Sequence, residues 1–406
     1  MNGDNGRHDH MVLVVAYLHA QGYPNNQAVL LLQERGYQIG EPAYSGYLAE
    51  AKRLGLVIIK VNPDVFTGDV VEAMQMLTSP DPHLAPALKT LAPANTLKHL
   101  WIFYSGQEGT TPESWDTRLA HWAPLAARCV LALLERAEIV GLGWGHTTAA
   151  CVTALARDGS GVAKQAKQTP LRFVPTCGMP LGVKRRPEHA SSALVKTLHT
   201  MWGSRGNPLS LENVYAVLPV EPVYKKIVHA QVLARIDDYQ TIFGPAAQAD
   251  AVPLADQLDT LITSVGSLSQ GWQTYTNELI TVGGISTEEL RAVAVGDING
   301  VLMPKSILTG GPLTASQEEE FNVMAGAWTG LTLQQCQRIA RQAAHSERPG
   351  VIVVAIGASK KEIVLEVVQR GLVNELIIDH DLARALGTMS TVRTAQVHAA
   401  SRMSHP

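Results

Sequence analysis

Cysteine is scarce in this chain. Cys129, Cys151, Cys177 and Cys336 are the four among 406 residues. They lie far apart, with neither a CxxC pair nor the close Cys/His spacing of a zinc site, so a disulfide framework and a structural zinc module are both excluded. Free thiols in a reducing cytoplasm are expected instead. Charge of either sign is sparse too: charged residues make up 17% of the chain, and 33 Lys plus Arg against 36 Asp plus Glu leave a formal net charge of -3. No global positive field exists to hold nucleic acid or an anionic membrane, and any DNA contact must rely on local charge. Long hydrophobic runs are missing as well. The most apolar stretches, Met11 to Leu18 and Val351 to Ala358, fall far short of the ~20 residues that cross a bilayer. The first ten residues, MNGDNGRHDH, carry two acids where an export signal would be basic, and are expected to form a frayed lead-in.

What is present is an ordinary globular composition, 46% apolar, long enough for two or three domains at roughly 150 residues each. Residues 11–62 form one unit. VLVVAYLHAQGY is apolar at helical spacing and stops at Gly22. NNQAVLLLQERGY begins at an Asn cap after Pro24 and ends at Gly36, and EPAYSGYLAEAKRLG has Pro42 in its first turn and Gly55 at its end. LGLVIIKVN then reads as a strand. Three short helices and a strand are the order of a winged helix-turn-helix, and equally of a small three-helix cap. Residues 63–94, rich in proline and aspartate and partly helical around Val70 to Leu77, are expected to be a linker.

Residues 95–390 alternate strand and helix signals. LKHLWIFYSG, AEIVGLGWG, LRFVPTCGMPLG, NVYAVLPV, TLITSVGSL, RAVAVGDING, GVIVVAIGA and NELIIDH are strand candidates. Helices are expected across SWDTRLAHWAPLAARCVLALLERA and TTAACVTALARDG, from Lys360 to Gln369 and from Asp381 to Leu386, with a frayed tail after Ala385. Such alternation predicts a mostly parallel sheet covered on both faces.

In an open α/β sheet, ligands bind beyond the carboxyl ends of the strands, so residues following strand signals carry the functional expectation. Gly143, Gly145, His146, Thr147 and Thr148 form a glycine-rich turn into a helix, where exposed N–H groups and hydroxyls suit a phosphate. A ligand-free tight turn is the alternative there. After Gly357, Lys360 and Lys361 stand in the first turn of a helix, opposing its dipole unless an anion binds. Asp297, between Gly296 and Gly300, is placed to accept from sugar hydroxyls, although Asp and Gly are also common turn formers. Cys177 with Gly178, and Gly266, would close the sides of one crevice or be plain loops. Anion donors, a carboxylate and a lysine from separate strands together suit a small phosphorylated polyol. No cofactor or metal is implied.

These segments resemble the SorC family of sugar-responsive bacterial transcription regulators, grouped with DeoR. IVGLGWGHTT is similar to the family's iGigwGrT segment, FVPTCGMPLG to vvPlvGglg, and LITSVGSL to its GIGs segment. AVGDING is similar to aVGdicG, and VAIGASKKEIVLEVVQRGLVNELIIDHDLARAL to the family's long vaGGxxK segment. Order and spacing hold from about Leu97 to Leu386. The resemblance implies an α/β chain with an N-terminal winged helix-turn-helix and a C-terminal isomerase-like, Rossmann-like sugar-binding domain. It also implies double-stranded operator DNA and a sugar or phosphosugar effector as partners, and a homotetramer or homodimer. Carried over, Gly143, Gly145, Thr147 and Thr148 would hold the effector's phosphate or hydroxyls, Asp297 would be its acidic contact, and Lys360 the lysine of GGxxK. Ile356 and His146 depart from that pattern, replacing a glycine and an arginine.

For DNA, the resemblance implies Tyr44, Ser45, Lys52 and Arg53. Glu41 and Gly46 stand where the family has arginines, and from Met1 to Val61 the bases Arg7, Arg35, Lys52, Arg53 and Lys60 only balance Asp4, Asp9, Glu34, Glu41 and Glu50. A neutral reader binds phosphates weakly unless several copies act together. Two alternatives follow: a sugar-phosphate isomerase with Asp297 as base, and an effector sensor that has lost DNA binding. Apparent insertions at Gln107 to Thr117 and Ser269 to Asn277 have no function in any of these readings.

Overall fold

A computed structural model describes residues 3–54, 56, 83–105, 112–159, 171–179, 187–203, 207–218, 231–244, 252–268, 284–306 and 311–389, with single residues between and beyond them. Nine strands are described: β1 (His99–Phe103), β2 (Ile139–Leu142), β3 (Arg172–Pro175), β4 (Thr260–Thr263), β5 (Val265–Ser267), β6 (Ala294–Ile298), β7 (Val301–Pro304), β8 (Gly350–Ala355) and β9 (Glu375–Asp379). The described α-helices are α1 (Gly3–Ala20), α2 (Asn25–Glu34), α3 (Glu41–Arg53), α4 (Leu84–Leu91), α5 (Pro112–Leu134), α6 (His146–Gly159) and α7 (Ser191–Trp202). They continue as α8 (Asp237–Phe243), α9 (Leu254–Gln257), α10 (Thr287–Val293), α11 (Ala315–Ala325), α12 (Leu333–Ala344), α13 (Lys361–Gln369) and α14 (His380–Gly387).

Six strands form one sheet in the order β1-β9-β8-β4-β2-β3, parallel at every pairing. Successive side chains of a strand point to opposite faces, and the two cores follow that alternation. Leu261, Val351, Val353, Leu376 and Ile378 join Leu84, Leu88, Ile339 and Ile363 on one face. Ile262, Ile352, Val354 and Ile377 join Trp122, Val130, Val152 and Leu198 on the other. Burial on both faces explains why β8, GVIVVA, is an unbroken apolar run.

A second sheet, β5-β6-β7, is antiparallel. Only Ser264 separates β4 from β5, so this sheet starts at the carboxyl edge of the large one. Its strands pack closely: a Cβ on Gly296 would lie 2.0 Å from the Gly266 carbonyl oxygen. Gly296→Ala is therefore expected to lower stability by about 2–3 kcal/mol. An unchanged denaturation midpoint would show that β5 yields freely.

α1, α2 and α3 share their own core of Val14, Leu18, Leu32, Tyr44 and Leu48, which Tyr104 of the sheet domain completes. Tyr104 donates its N–H to the Gln21 carbonyl at 3.0 Å, and its ring stacks on Tyr23 at 5.4 Å.

Several expectations change. The lead-in is helical from Gly3. α2 is preceded by Pro24 and lacks a side-chain cap. The wing strand, the helix around Val70 to Leu77 and the segment Ser269 to Asn277 fall outside the described residues, apart from Leu54 and Leu56. The latter part of the expected linker is α4, whose Leu84 and Leu88 are fully buried against the sheet. Within NVYAVLPV, the described residues 213–218 make two isolated bridges, Met179 to Tyr215 and Val217 to Trp328, instead of a strand. Past Ala385, α14 runs on to Gly387 and Val392 is buried in the main core.

Candidate ligand-binding site

From β2 the chain passes through α6 to β3 on one side. From β4 it returns, after the second sheet, to β8 on the other. A ligand crevice belongs where neighbouring strands part in this way, beyond the ends of β2 and β4.

The β2–α6 turn lies at that place. Gly143 donates its N–H to the Ile262 carbonyl at 2.8 Å, and Gly145 has φ +117°, a conformation that favours glycine. A Cβ on Gly143 would stand 2.5 Å from Asn299 Oδ1 and 2.7 Å from Thr263 Oγ1. The turn is thus pressed by the β6–β7 hairpin, whose two loop residues Asn299 and Gly300 have φ 55° and 80°, as a two-residue type I′ turn requires. Asp297 Oδ1 accepts the Gly300 N–H at 2.9 Å. Thr147 and Thr148 are buried in the first turn of α6, and Thr148 Oγ1 has no hydrogen-bond partner among the described residues.

Lys360 enters from the end of β8. Its Nζ donates to Thr147 Oγ1 at 3.4 Å and lies 5.9 Å from the Trp115 ring centroid. Burial lowers its pKa to about 8 against the opposing pull of the Asp379 and Asp297 charges. Burial likewise raises Asp297 to about 6, opposed by the Gly300 amide and by Lys360. Burial thus works against the charged form of both groups, and each feels the other's charge.

Asp379, fully buried at the end of β9, holds the floor. Its Oδ1 accepts from Gly357 N at 3.0 Å and Leu382 N at 3.1 Å. Its Oδ2 accepts from Ser105 Oγ at 2.9 Å and from Arg118.

Of the residues expected from the sequence, Gly143, Gly145, His146, Thr147, Thr148, Asp297, Gly357 and Lys360 come together here. His146 sits at the rim, its Nε2 3.2 Å from Asp116 Oδ1 and its ring stacked on His189 at 4.8 Å. Asp116 and Trp115 belong to the apparent insertion that had no assigned function. Cys177, Gly178 and Gly266 serve packing instead. The Cys177 thiol is fully buried, which pushes it up to about 12 and keeps it neutral. A Cβ on Gly178 would lie 2.2 Å from the Val214 carbonyl oxygen, and Gly266 pairs with Asp297 inside the small sheet.

Sequence reasoning missed Asn299, Thr263, Trp115, Arg118 and Asp379. The Asn-Gly dipeptide between two apolar stretches was the readable sign of the hairpin. On α3, Tyr44 is fully buried and cannot reach DNA, whereas Ser45, Lys52 and Arg53 are exposed. Arg53 pairs with Glu50 at 2.5 Å. Among the described residues no group of three or more His, Cys, Asp or Glu could hold a metal ion, and no helix is long and apolar enough to cross a membrane.

A probable sor operon regulator from Shigella flexneri superposes with TM-score 0.51 at 19% identity, over 75% of this chain and 97% of that one. This chain shares that regulator's fold. The resemblance read from five motifs is thus borne out at the level of fold. The full-length sorbitol operon regulator SorC from Klebsiella pneumoniae matches over 94% of this chain and 99% of its own, with TM-score 0.48 and 18% identity. A DeoR family transcriptional regulator from Listeria monocytogenes gives TM-score 0.48 and 17% identity, over 75% and 98%. No protein-family model and no curated protein matches the chain.

Proposed function

We propose that this chain is a cytoplasmic transcription regulator, not an enzyme, whose operator binding is set by a sugar or phosphosugar. The observation carrying the reading is the crevice that brings Lys360, Asp297 and the pair Thr147 and Thr148 together from three places in the chain. In the proposed division, residues 11–62, extended to Gly3, form the DNA-binding unit, and the sheet domain through residue 390 binds the effector. The Gly143–Gly145 turn and the helix start behind it receive the phosphate or hydroxyls, with Lys360 as the cation and Asp297 as the acceptor. His146 and Gly357 frame the entrance.

Ser45, Lys52 and Arg53 are the proposed DNA contacts on the exposed side of α3. That side also carries Glu41, so one copy binds weakly and assembly into a dimer or tetramer supplies the affinity. The effector acts only through unequal affinity for the DNA-bound and released states.

Fluorescence anisotropy tests the reading, using a labelled fragment from upstream of the gene at low salt, with and without sugar phosphates. Binding that one sugar phosphate changes is expected. Lys52→Gln and Arg53→Gln should each lower the salt slope by about one if they touch phosphate. Absence of binding at every salt concentration would end the DNA reading and favour a sensor acting through another partner. The protonation of Asp297 near neutrality favours a second reading, an isomerase-type enzyme. Turnover of a sugar phosphate, lost in Asp297→Asn, would replace the regulator reading with it.

A further inference from the structure

Asn299 is a buried side chain that the proposed crevice leaves unaccounted for. The type I′ turn explains an asparagine before Gly300, but such turns stand in water when they only reverse the chain. This one is 1% exposed. Its amide lies against the Gly143 backbone and beside Thr263, as the space around Gly143 requires.

The hydrogen-bond accounting around it does not close. Thr176 Oγ1 lies 2.8 Å from Asn299 Oδ1 and 2.8 Å from the Leu142 carbonyl, and a hydroxyl has a single proton to give. With that proton on Asn299, the amide NH2 has no partner among the described residues. The Leu142 carbonyl does not need that proton, because Ser191 Oγ donates to it at 2.5 Å. The amide NH2 of Asn299 is therefore buried and unmet among the described residues, two residues from Asp297 and against the glycine turn of the proposed crevice. Thr148 Oγ1, buried in the helix that the turn opens, is unmet as well.

We propose that Asn299 determines effector specificity by hydrogen bonding to a hydroxyl of the sugar, at the opposite end from the group held by Lys360. A hydroxyl oxygen accepts, so it satisfies the unmet amide NH2. The assignment rests on the crevice being a sugar site. It adds that discrimination among sugars comes from the hairpin tip instead of from the phosphate end.

The test is calorimetric titration of the full chain with glucose 6-phosphate, mannose 6-phosphate, fructose 6-phosphate, ribose 5-phosphate and the deoxy analogues of whichever binds. Asn299→Gly keeps the positive φ and removes the amide. Asn299→Asp keeps the shape but only accepts. For the sugar bound best, Asn299→Gly should lose about 10- to 100-fold in affinity. The deoxy analogue lacking the recognised hydroxyl should bind the native chain as weakly as that, with no further loss in the variant. Asn299→Asp should also bind less well, and serves if Asn299→Gly does not fold. Native affinity in both variants, or equal losses for the parent sugar and every deoxy analogue, would overturn the assignment. If no sugar phosphate binds the native chain, the sugar reading of the crevice fails and the assignment falls with it.

Discussion

Replacing Arg118 by methionine is expected to cost about 3–5 kcal/mol of stability, the usual penalty for stripping one partner from a buried charge cluster. Arg118 is buried beside a fully buried Asp379, and its Nη2 serves both Asp379 and Asp381. Without the guanidinium, a fully buried Asp379 faces the partly buried carboxylate of Asp381 with no cation between them. Denaturant titration at pH 7 reads the effect as a lower midpoint at an unchanged slope. Adding Asp381→Asn should recover part of the loss by removing one of the opposed charges. A loss under about 1 kcal/mol would mean that the cluster behaves like a screened surface pair. The consequence extends beyond stability. Asp379 orients Gly357 ahead of Lys360 on one side, and on the other it binds Ser105, the neighbour of Tyr104. Tyr104 holds Tyr23 and Gln21 of the N-terminal unit, and His380 packs edge-on against both tyrosines. The same buried carboxylate therefore fixes the crevice floor and the seat of the N-terminal helices.

The parallel strands were legible because burial on both faces demands apolar runs, as in GVIVVA of β8 and ELIID of β9. Glycine and lysine at strand ends pointed to the place where the residues of the proposed crevice gather, since strand ends are where such sheets bind ligands. Tyr44 was misplaced because a motif alignment overrode periodicity. Tyr44, Leu48 and Ala51 are the buried residues of α3, and their spacing of four and three marks one inward face. The amphipathic α12, with Cys336, Ile339, Ala340 and Ala343 inward behind a Thr332–Gln335 capping box, carried the same kind of signal unread. No local pattern reveals Asn299 against Gly143 or Arg118 against Asp379. Those neighbours are set by the sheet order, which assembles residues more than a hundred positions apart.

Lys360→Met is expected to weaken binding of an anionic sugar by about 100-fold, the scale of a lost charge-assisted hydrogen bond, and at the same time to stabilise the empty protein. Lys360 titrates near 8 in the folded chain against an ordinary 10.5. Stability that is present above 10.5 is consequently lost as pH falls through 8, and at pH 7 the charge opposes folding. Asp297, raised from 3.8 to about 6, acts in the same sense: stability present below 3.8 is lost as pH rises through 6. At about 1.4 kcal/mol per tenfold change in proton affinity, Asp297 opposes folding by roughly 3 kcal/mol at neutral pH, and Lys360, which keeps some contact with water, by roughly 1–2 kcal/mol. Asp297→Asn should accordingly raise the unfolding midpoint at pH 7 and leave it unchanged near pH 4. Lys360→Met should raise it at pH 7, with the gain fading towards pH 10.5. Destabilisation by Lys360→Met at pH 7 would show that the crevice satisfies its ammonium without a ligand. The expected pattern has a direct functional meaning. Charges that cost stability in the empty crevice are those whose cost a ligand of opposite charge and matching hydroxyls removes, so the free energy stored at Lys360 and Asp297 is available to favour the liganded state.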